Sequence, residues 1–123
     1  MKDIVIREML AGDVESLADL YKEFWGETSN LTRMINKFEK LNDDPAYLFL
    51  SAVDGDRVVG SIMGIGCEEL YGQCEPFLVM EDFVVSADYR RMGVGKRLLK
   101  SLEEIARSRG CRQIQFMTET GRG

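Results

Sequence analysis

The chain has 123 residues, of which 45% are hydrophobic and 30% charged, a composition typical of one ordinary globular domain spanning residues 1–123. Its formal net charge of −5 and sequence pI near 4.8 argue against a general nucleic-acid binder, because such a protein needs a basic face to displace counterions from phosphates. The sequence contains no histidine, which excludes the Ser-His-Asp and Cys-His nucleophilic arrangements and every histidine-ligated metal site.

The first part of the chain is predicted to form a strand and two helices. Alternating apolar and polar residues in "DIVIREM" indicate a short strand. Asp13 is expected to cap a helix whose apolar residues recur at helical spacing as far as Trp25. A second amphipathic helix is predicted from Leu31 to Leu41, and Pro45 prevents its continuation.

A β-hairpin, a strand, a helix and a last strand are predicted to follow. "YLFLSAV" and "VVGSIMGIG" flank "DGDR", in which Asp54-Gly55 is expected to supply the positive φ values of a tight turn. Strand character is strongest in "FLVMEDFVV", from Phe77 to Val85. An apolar stripe predicts a helix from Val94 to about Arg109 with Gly110 at its end, and "CRQIQFMT" is predicted as a strand. The predicted order is therefore β-α-α-β-β-β-α-β.

The segment "YRRMGVGKRLL" places two glycines among basic residues between a strand and a helix. A P-loop is excluded, because Arg90 stands where its first glycine would be and Arg97 replaces its serine or threonine. The dinucleotide fingerprint is excluded, because Leu98 replaces the third glycine. What remains is the pattern Arg90-x-x-Gly93-x-Gly95. Its backbone N–H groups lie at the positive end of a helix dipole and suit a pyrophosphate, whose approach side chains at the two glycine positions would obstruct.

This segment resembles the acyl-CoA-binding segment of the GNAT superfamily of N-acetyltransferases, whose signature is Gln/Arg-x-x-Gly-x-Gly/Ala. Arg90, Gly93 and Gly95 match the signature residue by residue. The likeness extends from "VMEDFVV" through "SLEEIARSRG" to the strand that follows, and the preceding order β-α-α-β-β also agrees. The resemblance implies an α/β (α+β) fold with a central mixed, mostly antiparallel sheet flanked by helices.

The resemblance also implies acetyl-CoA as cosubstrate, without a metal. The pyrophosphate is expected to bind the backbone amides of Arg91, Met92, Gly93, Val94, Gly95 and Lys96, with Arg90 shaping the loop. The pantetheine arm is expected to lie along Phe83, Val84 and Val85 like an added strand, and a backbone N–H near Val84 or Val85 is expected to polarise the thioester carbonyl. Lys96, Arg97 and Lys100 remain alternatives for binding the 3′-phosphate.

The implied reaction is direct transfer of the acetyl group from acetyl-CoA to a primary amine within a ternary complex. Glu81 is the candidate general base, because many family members carry a carboxylate at this place, and it is expected to share a strand face with Phe83. Asp82, expected on the opposite face, is the weaker candidate. The family commonly uses a tyrosine from a later helix as general acid, for which Tyr71 and Tyr89 are the alternatives within this chain.

That later helix and the last two strands of the usual fold lie beyond Gly123. We therefore expect either a longer natural chain or a homodimer, domain-swapped or not, in which a partner supplies these elements. The acceptor is expected to be a small-molecule or peptide amine bordered by Phe24, Trp25 and Met34. Acidic residues precede the basic loop and are expected to attract a cationic amine; these residues are Glu68, Glu69, Glu75, Glu81 and Asp82.

The remaining sequence features predict a cytoplasmic protein without a membrane or nucleic-acid partner. The three cysteines lack CxxC spacing, and the N-terminus has no apolar run of the length of a signal peptide. Two other functions stay open beside an N-acetyltransferase. One is a catalytically silent acyl-CoA-binding or regulatory module, and the other is a mononucleotide-binding protein that takes ATP with magnesium.

Overall fold

The computed structural model describes residues 3–116, in which five strands and three α-helices follow one another in the predicted order β-α-α-β-β-β-α-β. Short 3₁₀ turns precede the first helix and the loop before the third helix. The elements are β1 (Ile4–Glu8), α1 (Val14–Trp25), α2 (Leu31–Asn42), β2 (Tyr47–Asp54), β3 (Arg57–Cys67), β4 (Phe77–Val85), α3 (Val94–Ser108) and β5 (Ile114–Phe116). The last two residues predicted for the final strand lie outside the described residues.

The strands form one sheet in the order β1-β2-β3-β4-β5. The first four strands pair antiparallel with their neighbours, and β5 runs parallel to β4, so the expected mixed, mostly antiparallel sheet is confirmed. In the described part of the chain β5 pairs only with residues 78–80 of β4. The edge of β4 from Glu81 to Val85 therefore has no described strand beside it.

Helices cover both faces of this sheet because each presents one apolar stripe. On one face, Leu98 and Leu102 of α3 are fully buried and pack in one cluster with Ile62 of β3. On the other face, Leu17 of α1 and Phe38 of α2 belong to a second cluster. The two clusters define an α3 face and an α1–α2 face.

Asp13 does not cap α1, contrary to expectation. Its carboxylate accepts hydrogen bonds from the Arg7 guanidinium at 2.6 Å and from the Leu10 N–H at 2.8 Å, and it makes no cap bond to α1. Burial raises the pKa of Asp13, but these two hydrogen bonds and the Arg7 charge outweigh it and hold that pKa below its usual value. The nearby cation on β1 decides where this carboxylate points.

The hairpin turn is shifted by one residue from the expectation. Asp54 still pairs with Arg57 in the ladder, so Gly55 and Asp56 form the two-residue turn. Only Gly55 of these two has a positive φ, of 63°. This pattern is typical of a turn that needs glycine at its first central position.

Candidate active site

The loop between β4 and α3 forms an open groove of about 490 Å³. Arg91 and Gly93 both adopt left-handed conformations, with φ values of 67° and 78°. Left-handed residues in such a loop turn their N–H groups toward one side and form a concave anion site. Gly93 immediately precedes α3, so the positive end of the helix dipole adds to the attraction for an anion.

Most of the residues predicted to hold the pyrophosphate line this groove. Met92 is exposed and does not line it. Val84 is buried in the core of the α1–α2 face, so only its backbone is available to a ligand. The residues that do line the groove are Val85, Tyr89, Arg90, Arg91, Gly93, Val94, Gly95 and Lys96.

Tyr89 is a lining residue that sequence reasoning considered only as a general acid. It is buried, and its hydroxyl donates a hydrogen bond to the Asp54 carboxylate at the hairpin. The Arg57 guanidinium lies 5.3 Å from the centre of its ring. Tyr89 therefore braces the wall of the groove. Tyr71, the other tyrosine considered, is 84% exposed in the segment between β3 and β4.

Only one of the two signature glycines is required by its own backbone conformation. Gly93 has open space where a Cβ would be, so it is required there by its positive φ. A Cβ on Gly95 would lie 3.4 Å from Phe83 Cζ and 3.6 Å from Val85 Cγ2. These are ordinary van der Waals distances, so Gly95 marks the packing of the first turn of α3 against β4 and has no φ or space that demands glycine.

The basic residues near the loop separate into two locations. Lys96 lines the loop groove. Arg97 and Lys100 instead line a groove of about 450 Å³ between α3 and β1. Of the three residues considered for the 3′-phosphate, Lys96 alone lies beside the anion site at the loop.

A β-bulge interrupts β4 at Asp82. Ser61 pairs with Val84 and Met63 with Glu81, so Asp82 and Phe83 together face one residue of β3. Asp82 has a φ of 49°, a left-handed conformation that aspartate tolerates better than most residues. The bulge adds one residue to β4 and breaks the alternation of its side chains.

The bulge corrects the expectation for Glu81. Phe83 packs with the cluster on the α3 face, whereas Glu81 is in register with Met63, which lines a cavity on the α1–α2 face. The prediction that Glu81 and Phe83 share a face is wrong, because it assumed unbroken alternation. Asp82 lines the same cavity as Met63, so the reason for ranking it below Glu81 also fails.

The backbone of β4 shows the same reversal. The Leu78 N–H donates to the Gln113 carbonyl on the β5 side, and the Ser86 N–H donates to the Val59 carbonyl on the β3 side. Without a bulge, two residues separated by an even number of positions would donate toward the same neighbour. By alternation from Ser86, the Val85 N–H points away from β3, toward the edge of β4 that has no described strand beside it.

The cavity on the α1–α2 face encloses about 190 Å³ and lies between the helix pair and strands β2 to β4. Met34, one of the three residues predicted to border the acceptor, lines it. Trp25 packs against the α1–α2 cluster and does not line the cavity. Phe24 is partly exposed, and the Arg90 guanidinium lies 5.8 Å from the centre of its ring.

Glu23 connects α1 to the start of the loop, and sequence reasoning did not find it. Its carboxylate accepts hydrogen bonds from the Ser86 hydroxyl at 3.0 Å and from the Ala87 N–H at 2.8 Å. Arg57 lies 3.7 Å from both Glu23 and Asp88. Ser86 is fully buried, so these contacts fix the turn that leads into the anion site.

The described residues contain neither a membrane-spanning helix nor a cluster of metal-binding side chains. No helix in residues 3–116 is both long and apolar enough to cross a membrane. In the same range, no three cysteine, aspartate or glutamate side chains are grouped in a way that would hold a metal ion.

Comparisons with known proteins agree with this architecture. Residues 14–122 match the model of the Acetyltransferase (GNAT) family. An acetyltransferase from Trypanosoma brucei superimposes with a TM-score of 0.84 at 22% identity, over 96% of this chain and 84% of that one. A GNAT family acetyltransferase from Staphylococcus aureus gives 0.82 at 23% identity, over 100% and 91%.

A third solved structure, glucosamine-6-phosphate N-acetyltransferase from Arabidopsis thaliana, gives a TM-score of 0.87 at 15% identity, over 97% of this chain and 84% of that one. At such identities these likenesses show the shared fold alone. The family model, in contrast, spans most of the sequence. The chain therefore belongs to the GNAT acetyltransferase family.

Proposed function

We propose that this protein is an N-acetyltransferase that transfers the acetyl group of acetyl-CoA to a primary amine by direct attack in a ternary complex. One observation carries the proposal. The bulge at Asp82 lines the cavity on the α1–α2 face and lies at the start of the open edge of β4, and this edge reaches the anion groove at Val85. A donor and an acceptor held in these places would meet beside β4.

The residues present fit acetyl-CoA. The loop offers left-handed backbone at Arg91 and Gly93, the N-terminus of α3 and the ammonium group of Lys96, all of which suit a pyrophosphate. The edge of β4 beyond Met80 offers backbone groups to a pantetheine arm, which contains amides and can pair like a strand. The Val85 N–H on this edge is the proposed donor to the thioester carbonyl.

When bound, acetyl-CoA supplies an activated acetyl group as a thioester. The amine nitrogen forms the new C–N bond with its lone pair, and the C–S bond breaks with its electron pair remaining on sulfur. The ammonium form of the amine must first lose one proton to a base; the nitrogen loses a second proton as the amide forms, which balances the proton that the departing sulfur gains. The protein aligns the two reactants, accepts the first proton and stabilises the charge on the carbonyl oxygen.

Two consecutive carboxylates have separate proposed roles. Glu81 is the general base, and Asp82, which lines the cavity, holds the ammonium group before proton transfer. Loss of a general base typically lowers the rate by about 10²- to 10⁴-fold. Loss of the Asp82 charge is expected to act first on the KM for the amine, since a charge-assisted hydrogen bond to the substrate is lost.

The test measures free CoA and acetylated product by liquid chromatography when acetyl-CoA is incubated with a panel of amines. The expected result is amine-dependent release of CoA, with Glu81→Gln reducing kcat and Asp82→Asn raising the KM for the amine. Both isosteric variants should keep the rise in melting temperature that CoA produces. Stabilisation by CoA without transfer to any amine would identify the silent acyl-CoA-binding module instead.

The same melting experiment distinguishes an acetyltransferase from a mononucleotide-binding protein. A protein whose loop binds mononucleotides should be stabilised by ATP with magnesium and not by CoA. Stabilisation by CoA alone is the result expected of an acetyltransferase, because binding to the folded state raises its stability by mass action. An absence of any shift at millimolar CoA would contradict the proposed donor site.

A further inference from the structure

The cavity on the α1–α2 face is large enough to hold one small chemical group. It encloses about 190 Å³, whereas a close-packed core rarely leaves a void larger than one water molecule, about 30 Å³ of liquid. Val14 and Leu17 on its wall are buried, but Lys37 is exposed and Met34 half-buried. The cavity therefore opens to solvent beside α2 and can be entered from outside.

The wall of this cavity is apolar over most of its area. Apart from Tyr21, Lys37 and Asp82, its lining consists of methionine, valine, leucine and phenylalanine side chains. An apolar cavity of about 150 Å³ remains dry and takes up benzene. The slightly larger cavity here is therefore suited to one group of the size of a phenyl ring or a branched alkyl chain.

The two charged residues of the lining, Asp82 and Lys37, favour a ligand that carries one positive charge, located beside Asp82. Asp82 lies on β4, next to the edge proposed for the donor, and its carboxylate attracts an ammonium group. Lys37 on α2 contributes a positive charge to the same lining. A second cationic group on the acceptor would meet this like charge, whereas an uncharged apolar group would not.

We propose that the acceptor is a small primary amine on a short arm that ends in one apolar group, as in phenylethylamine or 3-methylbutylamine. This inference rests on the proposed N-acetyltransferase function and names its substrate class. The apolar group occupies the cavity, and the amine lies beside Asp82 at β4. Amino sugars are disfavoured, because the lining provides few partners for their hydroxyl groups, and burying a hydroxyl without a hydrogen bond is costly.

The first experiment compares kcat/KM for matched amines with the whole chain. Phenylethylamine should exceed ethanolamine by about 10- to 200-fold, since that is the discrimination that a small apolar group provides in a fitted pocket. Glucosamine 6-phosphate, an aminoglycoside and spermidine should react no better than ethanolamine. Equal or faster turnover of any of these three would overturn the inference, as would a preference for a tetrapeptide beginning with Phe.

Two cavity variants and a surface control test the location. Met34→Trp fills part of the cavity and should lower kcat/KM for phenylethylamine about tenfold relative to ethanolamine. Lys37→Glu should raise the spermidine to phenylethylamine ratio about tenfold, because it replaces a repulsive charge with an attractive one. Lys40→Glu makes the same charge change on α2 outside the lining, and the ratio should stay within about twofold.

Binding without turnover distinguishes this inference from the proposed function. With CoA present, phenylethylamine should raise the melting temperature of the wild-type protein further, and Met34→Trp should abolish that rise while keeping the response to CoA. If these shifts occur without acetyl transfer, the proposed function fails and the pocket assignment stands. If polar amines are acetylated and phenylethylamine neither binds nor reacts, the pocket assignment fails and the proposed function stands.

Discussion

Replacing Gly93 with alanine tests whether the left-handed turn of the loop is what binds CoA. The φ of Gly93 is 78°, and a Cβ there would meet no atom within 4 Å, so the change adds backbone strain and no clash. A left-handed alanine costs about 1–2 kcal/mol. For a domain of this size, that corresponds to a fall in melting temperature of about 4–8 °C.

Gly110→Ala is the matched control for Gly93→Ala. Gly110 has a φ of 74°, also with open space around it, and it follows the C-terminal end of α3. The helix has 15 residues, which at about 1.5 Å per residue separates the two glycines by roughly 22 Å. Both variants should lose similar stability without ligand, since the cost arises from the same conformation.

The two glycine variants should differ in their response to CoA. At about 100 times its Kd, a ligand adds about 2.7 kcal/mol of stability, and a tenfold loss of affinity removes about 1.4 kcal/mol of it. We expect the rise in melting temperature with CoA to fall to about half in Gly93→Ala and to be unchanged in Gly110→Ala. Equal responses of the two variants would refute the assignment of the loop as the anion site.

Three further predictions concern Asp13, Glu23 and Cys111. Asp13→Asn should lower the free energy of unfolding by about 1–3 kcal/mol at pH 7. Because the folded-state pKa of Asp13 is depressed, the wild type loses this advantage as the pH falls through that pKa. Urea unfolding curves of the two proteins should therefore converge in acid. Glu23→Ala removes the acceptor for the buried Ser86 hydroxyl, and titration should show weaker CoA binding with the KM for the amine unchanged. Burial raises the pKa of the half-buried Cys111 thiol, so mass spectrometry should find it alkylated by iodoacetamide more slowly than the exposed Cys74.

The order and approximate bounds of the elements were predictable because they depend on local pattern. Leu31, Met34 and Phe38 recur at helical spacing, and α2 does extend from Leu31 to Asn42. Gly110 was predicted to end α3, and its φ of 74° confirms a left-handed position just after the helix. These signals require only neighbours within one or two turns of chain.

The supports of the loop were not predictable, because their partners are distant in sequence. Glu23 and Ser86 are separated by 63 positions and meet only when α1 lies on the sheet. Asp13 has the residue type and position of a helix cap, yet the Arg7 guanidinium on the adjacent strand takes its carboxylate. Local propensity indicated a polar role for Asp13 and gave no signal for Glu23, and in both cases the tertiary fold decided the partner.

The bulge at Asp82 connects the two halves of the proposed site. One extra residue directs Phe83 to the α3 face, where its ring lies 3.4 Å from the place that a Cβ on Gly95 would occupy in the first turn of α3. The same residue leaves Glu81 and Asp82 on the side of the α1–α2 cavity and turns the Val85 N–H toward the open edge of β4. An unbroken strand would preserve only one of these two orientations: it would either place Glu81 on the α3 face or turn the Val85 N–H toward β3. The proposed carboxylates and the proposed carbonyl donor therefore depend together on a single irregularity that no strand periodicity predicts.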